Sequence, residues 1–151
     1  MYDRILVPID GSETAQRGLR EAVEAGRCLK ARLILMHIVD NFPLQLEMST
    51  AATYENSLDL LRKRGYEVLA RARETAQAAG VETESLLREI QHETVADAIL
   101  EQVRLSDCKL IVMGTHGRRG MKRLAMGSDA ELVLRASPVP VLLVRREDQP
   151  N

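Results

Sequence analysis

The chain of 151 residues contains no tryptophan, one phenylalanine and three tyrosines, so aromatic side chains make up only 3% of it. Proteins that grip single-stranded nucleic acid stack bases on aromatic platforms inside basic grooves. A net charge of -1, from 21 Lys and Arg against 22 Asp and Glu, provides no overall field to recruit such a polyanion or an anionic membrane surface. Nucleic acid and membrane are therefore not expected partners. Cysteine is also scarce. Cys28 and Cys108 lie too far apart for a zinc knuckle or a redox pair, and both are expected to be buried free thiols. No apolar run approaches the ~20 residues that a membrane span requires. The opening Met1-Tyr2-Asp3-Arg4 lacks the basic-then-apolar layout of a signal peptide, so the cytoplasm is the expected location.

Catalytic signatures are equally sparse. The chain has no G-x-x-x-x-G-K-[ST] loop, no G-x-S-x-G elbow and no H-E-x-x-H pair. No internal repeat, low-complexity tract or linker divides it, and its length suits a single domain.

What the chain does have is alternation. Ile5-Leu6-Val7-Pro8-Ile9 is a short apolar run without polar alternation, which suits a parallel strand covered on both faces. Pro8 sits near its end, where the chain leaves the sheet. From Glu13 to Lys30, apolar residues recur at helical spacing (Ala15, Leu19, Ala22, Val23, Leu29). Leu33 to Val39 reads as the next strand, followed by a loop containing Phe42 and Pro43. A long helical stretch then covers about Ala51 to Ala79, interrupted by Gly65, with Gly80 as its stop. Val81 to Leu87 reads as a third strand, and Val95, Ala96, Ile99, Leu100 and Val103 form a helical face. A fourth strand ends at Met113, a fourth helix begins near Ser128, and Val139 to Val144 makes a fifth strand. Five strands joined by four helices imply an α/β domain: an open parallel sheet with right-handed crossovers and helices on both faces.

The most informative segment follows Met113. It reads Gly114-Thr115-His116-Gly117, nine residues from Arg118 to Met126, then Gly127-Ser128, the pattern G-x-x-G-x(9)-G-S. A strand that empties into a glycine-rich loop and then a helix start is an anion cradle. Backbone N–H groups converge there, glycine admits close approach, and the helix dipole favours negative charge. Ligands of such sheets bind beyond the carboxyl ends of strands, where the winding reverses. The first strand ends in Pro8-Ile9-Asp10-Gly11-Ser12. If it neighbours the fourth, one cleft holds Asp10 on one wall and Gly114 to Ser128 on the other.

The Gly114/Gly117/Gly127-Ser128 spacing, Asp10 after the first strand, and the closing Pro138-Val139-Pro140-Val141-Leu142-Leu143-Val144 together resemble the universal stress proteins. The resemblance covers essentially the whole chain, with residues 1–146 as the nucleotide-binding domain and 147–151 as a short tail. It implies strand order 3-2-1-4-5, a homodimer, and ATP with Mg²⁺ as the ligand of members carrying the glycines. It further implies that Pro8 and the backbone around Ile38 flank the adenine, and that Asp10 meets ribose hydroxyls or a phosphate-bound Mg²⁺. Gly114, Thr115, His116, Gly117, Arg118, Arg119 and Gly120 would wrap sugar and phosphates, with Gly127 and Ser128 on the terminal phosphates. Asp129 stands where the resemblance implies a small apolar residue; a carboxylate there suits the first turn of the helix but would repel a γ-phosphate.

Plainer roles suit some of these residues. Asp10 also suits capping of the first helix, with Glu13 three positions on as a capping-box partner. Ser128 suits an N-cap. Arg118, Arg119, Lys122 and Arg123 suit either phosphate neutralisation or a solvated loop. His116 suits a ligand donor or a surface imidazole, and His37, set in a strand, is expected to be a satisfied core histidine. Phe42, Leu44, Leu46 and Met48 are expected to pack over the sheet end, or to serve as a lid. The fifth strand is too apolar for an open edge. Antiparallel pairing of Val139–Val144 with the same strand of a second copy would satisfy it. The functional expectation is an ATP-binding regulatory module with little or no hydrolysis. The alternative is a weak Mg²⁺-dependent ATPase or phosphotransferase using Asp10.

Overall fold

A computed structural model describes residues 1–47, 50–116 and 126–145 of the chain. Met48, the loop residues Gly117, Arg118, Arg119, Gly120, Lys122 and Arg123, and the tail 147–151 lie outside the described residues.

Five strands form one parallel sheet: β1 (Arg4–Pro8), β2 (Arg32–Asp40), β3 (Thr83–Ile90), β4 (Leu110–Gly114) and β5 (Val141–Val144), in the order β3-β2-β1-β4-β5. Among the described residues five helices join them: α1 (Glu13–Leu29), α2 (Phe42–Glu47), α3 (Ala51–Ala78), α4 (Val95–Leu105) and α5 (Ser128–Ala136).

The continuous apolar runs of β1 and β2 bury both faces, because successive side chains point to opposite sides. Ile5, Val7, Leu33 and Leu35 pack with Leu19 and Ala22 of α1 and Leu69, Ala72 and Ala76 of α3. Leu6, Ile34 and Met36 point the other way, with Ile99 and Val103 of α4 and Val133 of α5. Burying each such side chain stabilises the fold by about 1.5–3 kcal/mol.

The expected elements shift at several boundaries, each for a local reason. Phe42 and Pro43 open a short helix rather than a loop, and the Asp40 carboxylate accepts the Phe42 N–H (3.0 Å). None of the residues of α2 is fully buried, and Phe42 and Leu46 are 43% and 73% exposed; the segment meets the sheet end only at its margin, with Pro43 in the cleft lining and Phe42 edge-on to His92. Val81 belongs to the end of α3, not to β3. Gly80 takes φ +73°, and the Val81 N–H donates to the Ala76 carbonyl (3.0 Å). Gly80 is thus the expected stop. The strand consequently starts at Thr83 and runs on through Arg88 and Glu89 to Ile90. At the other edge Val139 is held in a turn, its N–H accepted by Ser137 Oγ (3.2 Å), so β5 begins at Val141. Cys28 is exposed, off the buried stripe of α1, while Cys108 is buried.

Where α1 crosses β4, both elements carry glycine. A Cβ on Gly18 would lie 3.4 Å from the Gly114 nitrogen, and one on Gly114 would lie 3.0–3.1 Å from the carbonyl carbon and side chain of Thr14. Two missing side chains let the start of α1 sit directly against the end of β4. That contact brings the two strand ends into one site.

Candidate functional site

With all five strands parallel, their carboxyl ends and the starts of the following helices gather at one end of the sheet. A cleft of ≈ 750 Å³ opens there between β1, β2 and β4. Pro8, Asp10, Ile38, Gly114, Thr115, His116, Gly127, Ser128 and Asp129 all line it. The structure thereby brings together every expected site residue that it describes. Gly117, Arg118, Arg119 and Gly120 fall outside the described residues.

The first wall is the turn between β1 and α1. Asp10 does not cap α1. Ser12 is the N-cap, its Oγ accepting the Ala15 N–H (3.1 Å). Asp10 instead accepts the Ser12 N–H on Oδ1 (2.9 Å), an Asx turn that fixes the half-buried carboxylate beside the cleft. Gly11 between them has φ +83°, a conformation that favours glycine. One residue earlier, the Ile9 carbonyl accepts Nδ1–H of His37 (2.8 Å). His37, 2% exposed, is the satisfied histidine expected, and it also forms part of the cleft lining.

The second wall is the junction of β4 and α5. The Thr115 N–H donates to the Val144 carbonyl (3.0 Å), extending the β4–β5 ladder by one bond. The Gly127 N–H donates to the Thr115 carbonyl (2.8 Å), which closes the loop between them at its neck. A Cβ on Gly127 would lie 3.1 Å from that carbonyl oxygen, so the closure is tight. Thr115 is buried, and its hydroxyl meets Nδ1 of His116 (2.9 Å).

Gly127, not Ser128, is the N-cap of α5, and it supplies no side-chain cap. Ser128 is the first helical residue, exposed with Asp129 on the cleft. The first N–H groups of a helix have no partner within the helix. Here they start a helix whose cap residue cannot satisfy them from a side chain. They put partial positive charge on the cleft wall, offset by the carboxylates of Asp129 and Glu131 in the same turn.

Residues from two further helices line the cleft and were not anticipated: Leu61 and Arg64 of α3, and Glu93, Thr94 and Val95 at the start of α4. Thr94-x-x-Asp97 is a sequence signal that was available. It forms a capping box, and the Thr94 hydroxyl and N–H hold the Asp97 carboxyl below the usual carboxylate range. A helix start after β3 in a parallel sheet must lie at the ligand end. Glu93 is paired with Arg88 (2.9 Å).

Among the described residues, no cluster of three His, Cys, Asp or Glu side chains is arranged to hold a metal ion. Mg²⁺ favours one or two carboxylates completed by phosphate oxygens and water. Asp10, one oxygen on the Ser12 amide and set across the cleft from the start of α5, fits that minimal role.

The model of the Universal stress protein family matches residues 1–145. The chain belongs to that family. It is 34% identical over 145 residues to a universal stress protein of Thermus aquaticus, covering 96% of this chain and all of that one. Among solved structures, a universal stress family protein from Burkholderia pseudomallei is 33% identical with a TM-score of 0.78, covering 95% of this chain and 96% of that one. The universal stress protein from Archaeoglobus fulgidus in complex with dAMP shares the fold. Its TM-score is 0.67 at 24% identity, over 95% of this chain and 98% of that one. The open sheet with order 3-2-1-4-5 is the fold expected of this family. Among the described residues of this universal stress protein, no helix is long and apolar enough to cross a membrane.

Proposed function

We propose that the cleft of this universal stress protein binds ATP with Mg²⁺. In this reading the protein is a dimeric regulator of the stress response that holds its nucleotide with little or no hydrolysis. The observation that carries the reading is the glycine-capped start of α5 facing the Asp10 turn across one cleft. Amides at a helix start suit phosphate oxygens, a carboxylate suits ribose hydroxyls or a phosphate-bound Mg²⁺, and the apolar side chains of Pro8, Ile38 and Met113 suit a purine. That another protein of this fold holds dAMP supports an adenine nucleotide over a simple anion.

Slow turnover is supported by the sequence, in which the G-x-x-x-x-G-K-[ST] loop, with its phosphate-binding lysine and Mg²⁺-binding hydroxyl, does not occur. Dimerisation is supported by the edge position of β5, where Leu142 is 43% exposed.

The test is direct. Nucleotide released from the freshly purified protein is identified by mass spectrometry, and ATP with Mg²⁺ is added to the stripped protein. Ligand at 100 times Kd stabilises by about 2.7 kcal/mol, a clear rise in melting temperature. No rise at millimolar ATP overturns the reading, and steady turnover abolished by Asp10→Ala replaces it with the ATPase alternative.

A further inference from the structure

Gly65 stands in the interior of α3, where glycine is a poor choice for the helix itself. Its surroundings explain it. A Cβ at this position would lie 2.6 Å from Cδ2 of His37, 3.1 Å from Nε2 of the same ring, and 2.7 Å from Cδ1 of Leu87. Real Cβ contacts do not approach so closely, so α3 rests on the imidazole of β2 only because residue 65 has no side chain.

The other edge of that ring faces the site. A carbonyl only accepts, so the Nδ1 of His37, 2.8 Å from the Ile9 oxygen, carries the proton. Ile9 lies one residue past the last β1–β2 pair, Pro8 with Met36, and its own N–H donates to the Met36 carbonyl (2.8 Å). The His37 bond therefore continues the ladder by means of a side chain at the point where backbone pairing stops. The residue it fixes immediately precedes Asp10.

We infer that His37, seated against Gly65, is a positioning residue for Asp10: α3 presses the imidazole onto the Ile9 carbonyl, and this sets where the Asp10 turn presents its carboxylate in the cleft. The inference rests on the nucleotide reading for its effect on affinity, but the geometric part stands apart from it. The consequence is a mechanical link. Displacement of α3, by a partner or by substitution at its surface, reaches the Ile9 carbonyl through this ring, alongside the contact of Val68 with Gly11.

Three variants test it. His37→Leu removes the donor and keeps the bulk, His37→Asn keeps a side-chain N–H near the position of Nδ1, and Gly65→Ala pushes the ring from behind. Two measurements are made on each. In amide NMR spectra, the Ser12 N–H, which is bonded to Asp10, should move in His37→Leu and Gly65→Ala and return close to its wild-type position in His37→Asn. In binding assays, ATP affinity should fall about tenfold in His37→Leu and Gly65→Ala and recover in His37→Asn, since one hydrogen bond no longer orders the turn. Inorganic tripolyphosphate in the presence of EDTA, which needs only the α5 wall, should bind all four proteins alike. An unmoved Ser12 amide, or equal loss of affinity in the Leu and Asn variants, overturns the inference. A wild type that binds no ATP overturns the nucleotide reading alone, and the Ser12 amide then decides the His37 link. Should His37→Leu fail to fold, Gly65→Ala and His37→Asn carry the same comparison.

Discussion

The two ends of the sheet each hold a concavity, and they are built on opposite principles. At the amino ends of the strands a groove of ≈ 470 Å³ is lined by Arg4, Arg27, Lys30 and Arg32 with Asp3 and Glu82. Its guanidinium groups are paired within the protein, Arg32 to Glu82 at 2.8 Å, Arg27 to Glu24 at 2.9 Å and Arg4 to Glu84 at 3.5 Å, with Arg4 Nε buried and without a partner among the described residues. Those hydrogen bonds raise the Arg27 and Arg32 pKa values further above their usual range. At the carboxyl ends the ≈ 750 Å³ cleft is lined by the start of α5, where Gly127 supplies no side-chain cap, and by the Asp10 turn. The charges at the amino ends are spent largely on ion pairs within the protein, whereas the carboxyl ends gather a helix start, a carboxylate turn and apolar side chains around one cleft.

The contrast can be broken most forcefully at Gly114→Val. The new side chain meets Thr14 at 3.0–3.1 Å where α1 crosses β4. Overpacking of this kind costs about 1–3 kcal/mol. The melting temperature should drop by roughly 2–12 °C, and the stabilisation by ATP should vanish. Calorimetry with and without nucleotide checks both.

Next in size is Asp10→Ala. Loss of the bond to the Ser12 amide should lower intrinsic stability by about 1 kcal/mol. Affinity for Mg²⁺-ATP should weaken about tenfold, equivalent to ~1.4 kcal/mol. Titration calorimetry measures the second effect and urea unfolding the first.

The lower end is sharpened by its two thiols. Burial pushes Cys108 up to about 11, while Cys28 is exposed. An aromatic disulfide reagent at pH 8 should therefore modify one thiol in the native protein and two after unfolding, and none rapidly in native Cys28→Ser. The sign of the pH effect follows. A folded pKa above the ordinary value near 9 gives a contribution present below pH 9 and lost as the pH rises through 11. Urea midpoints measured across that window should fall, and fall less in Cys108→Ala.

The smallest effect should come from Arg32→Ala. An exposed pair contributes about 0–1 kcal/mol, so stability should change by less than about 0.5 kcal/mol, and nucleotide affinity should not change. A loss of affinity there would erase the distinction between the two ends.

Much of this was legible in the chain itself, for identifiable reasons. The double-faced apolar runs at Ile5–Val7 and Leu33–Val39 could bury nowhere but in a covered parallel sheet, and the glycine pattern that begins at Gly114 pointed to the end of the sheet where the cleft lies. The shortfalls come from interactions that periodicity does not express. The short α2 helix begins with Phe42 and Pro43 after Asp40 and Asn41. That is helix-start chemistry, hidden behind an apolar composition that suggested packing. Asp10 suited capping of α1 on sequence, and only the backbone path decides that Ser12 takes the role. Cys28 was expected to be buried because its distance from Cys108 left no metal or redox role, although it falls off the stripe that turns inward. Gly65 read as a flaw in a helix, since the ring that needs its absent side chain comes from a strand 28 positions earlier (37 to 65).

The hydrogen bond that joins Gly127 to Thr115 has one further consequence. It ties the end of β4 to the start of α5, and the Thr115 N–H on the Val144 carbonyl ties both to β5. The protein's own backbone thus fixes the separation of these two stems, as a chuck is tightened before any bit is fitted.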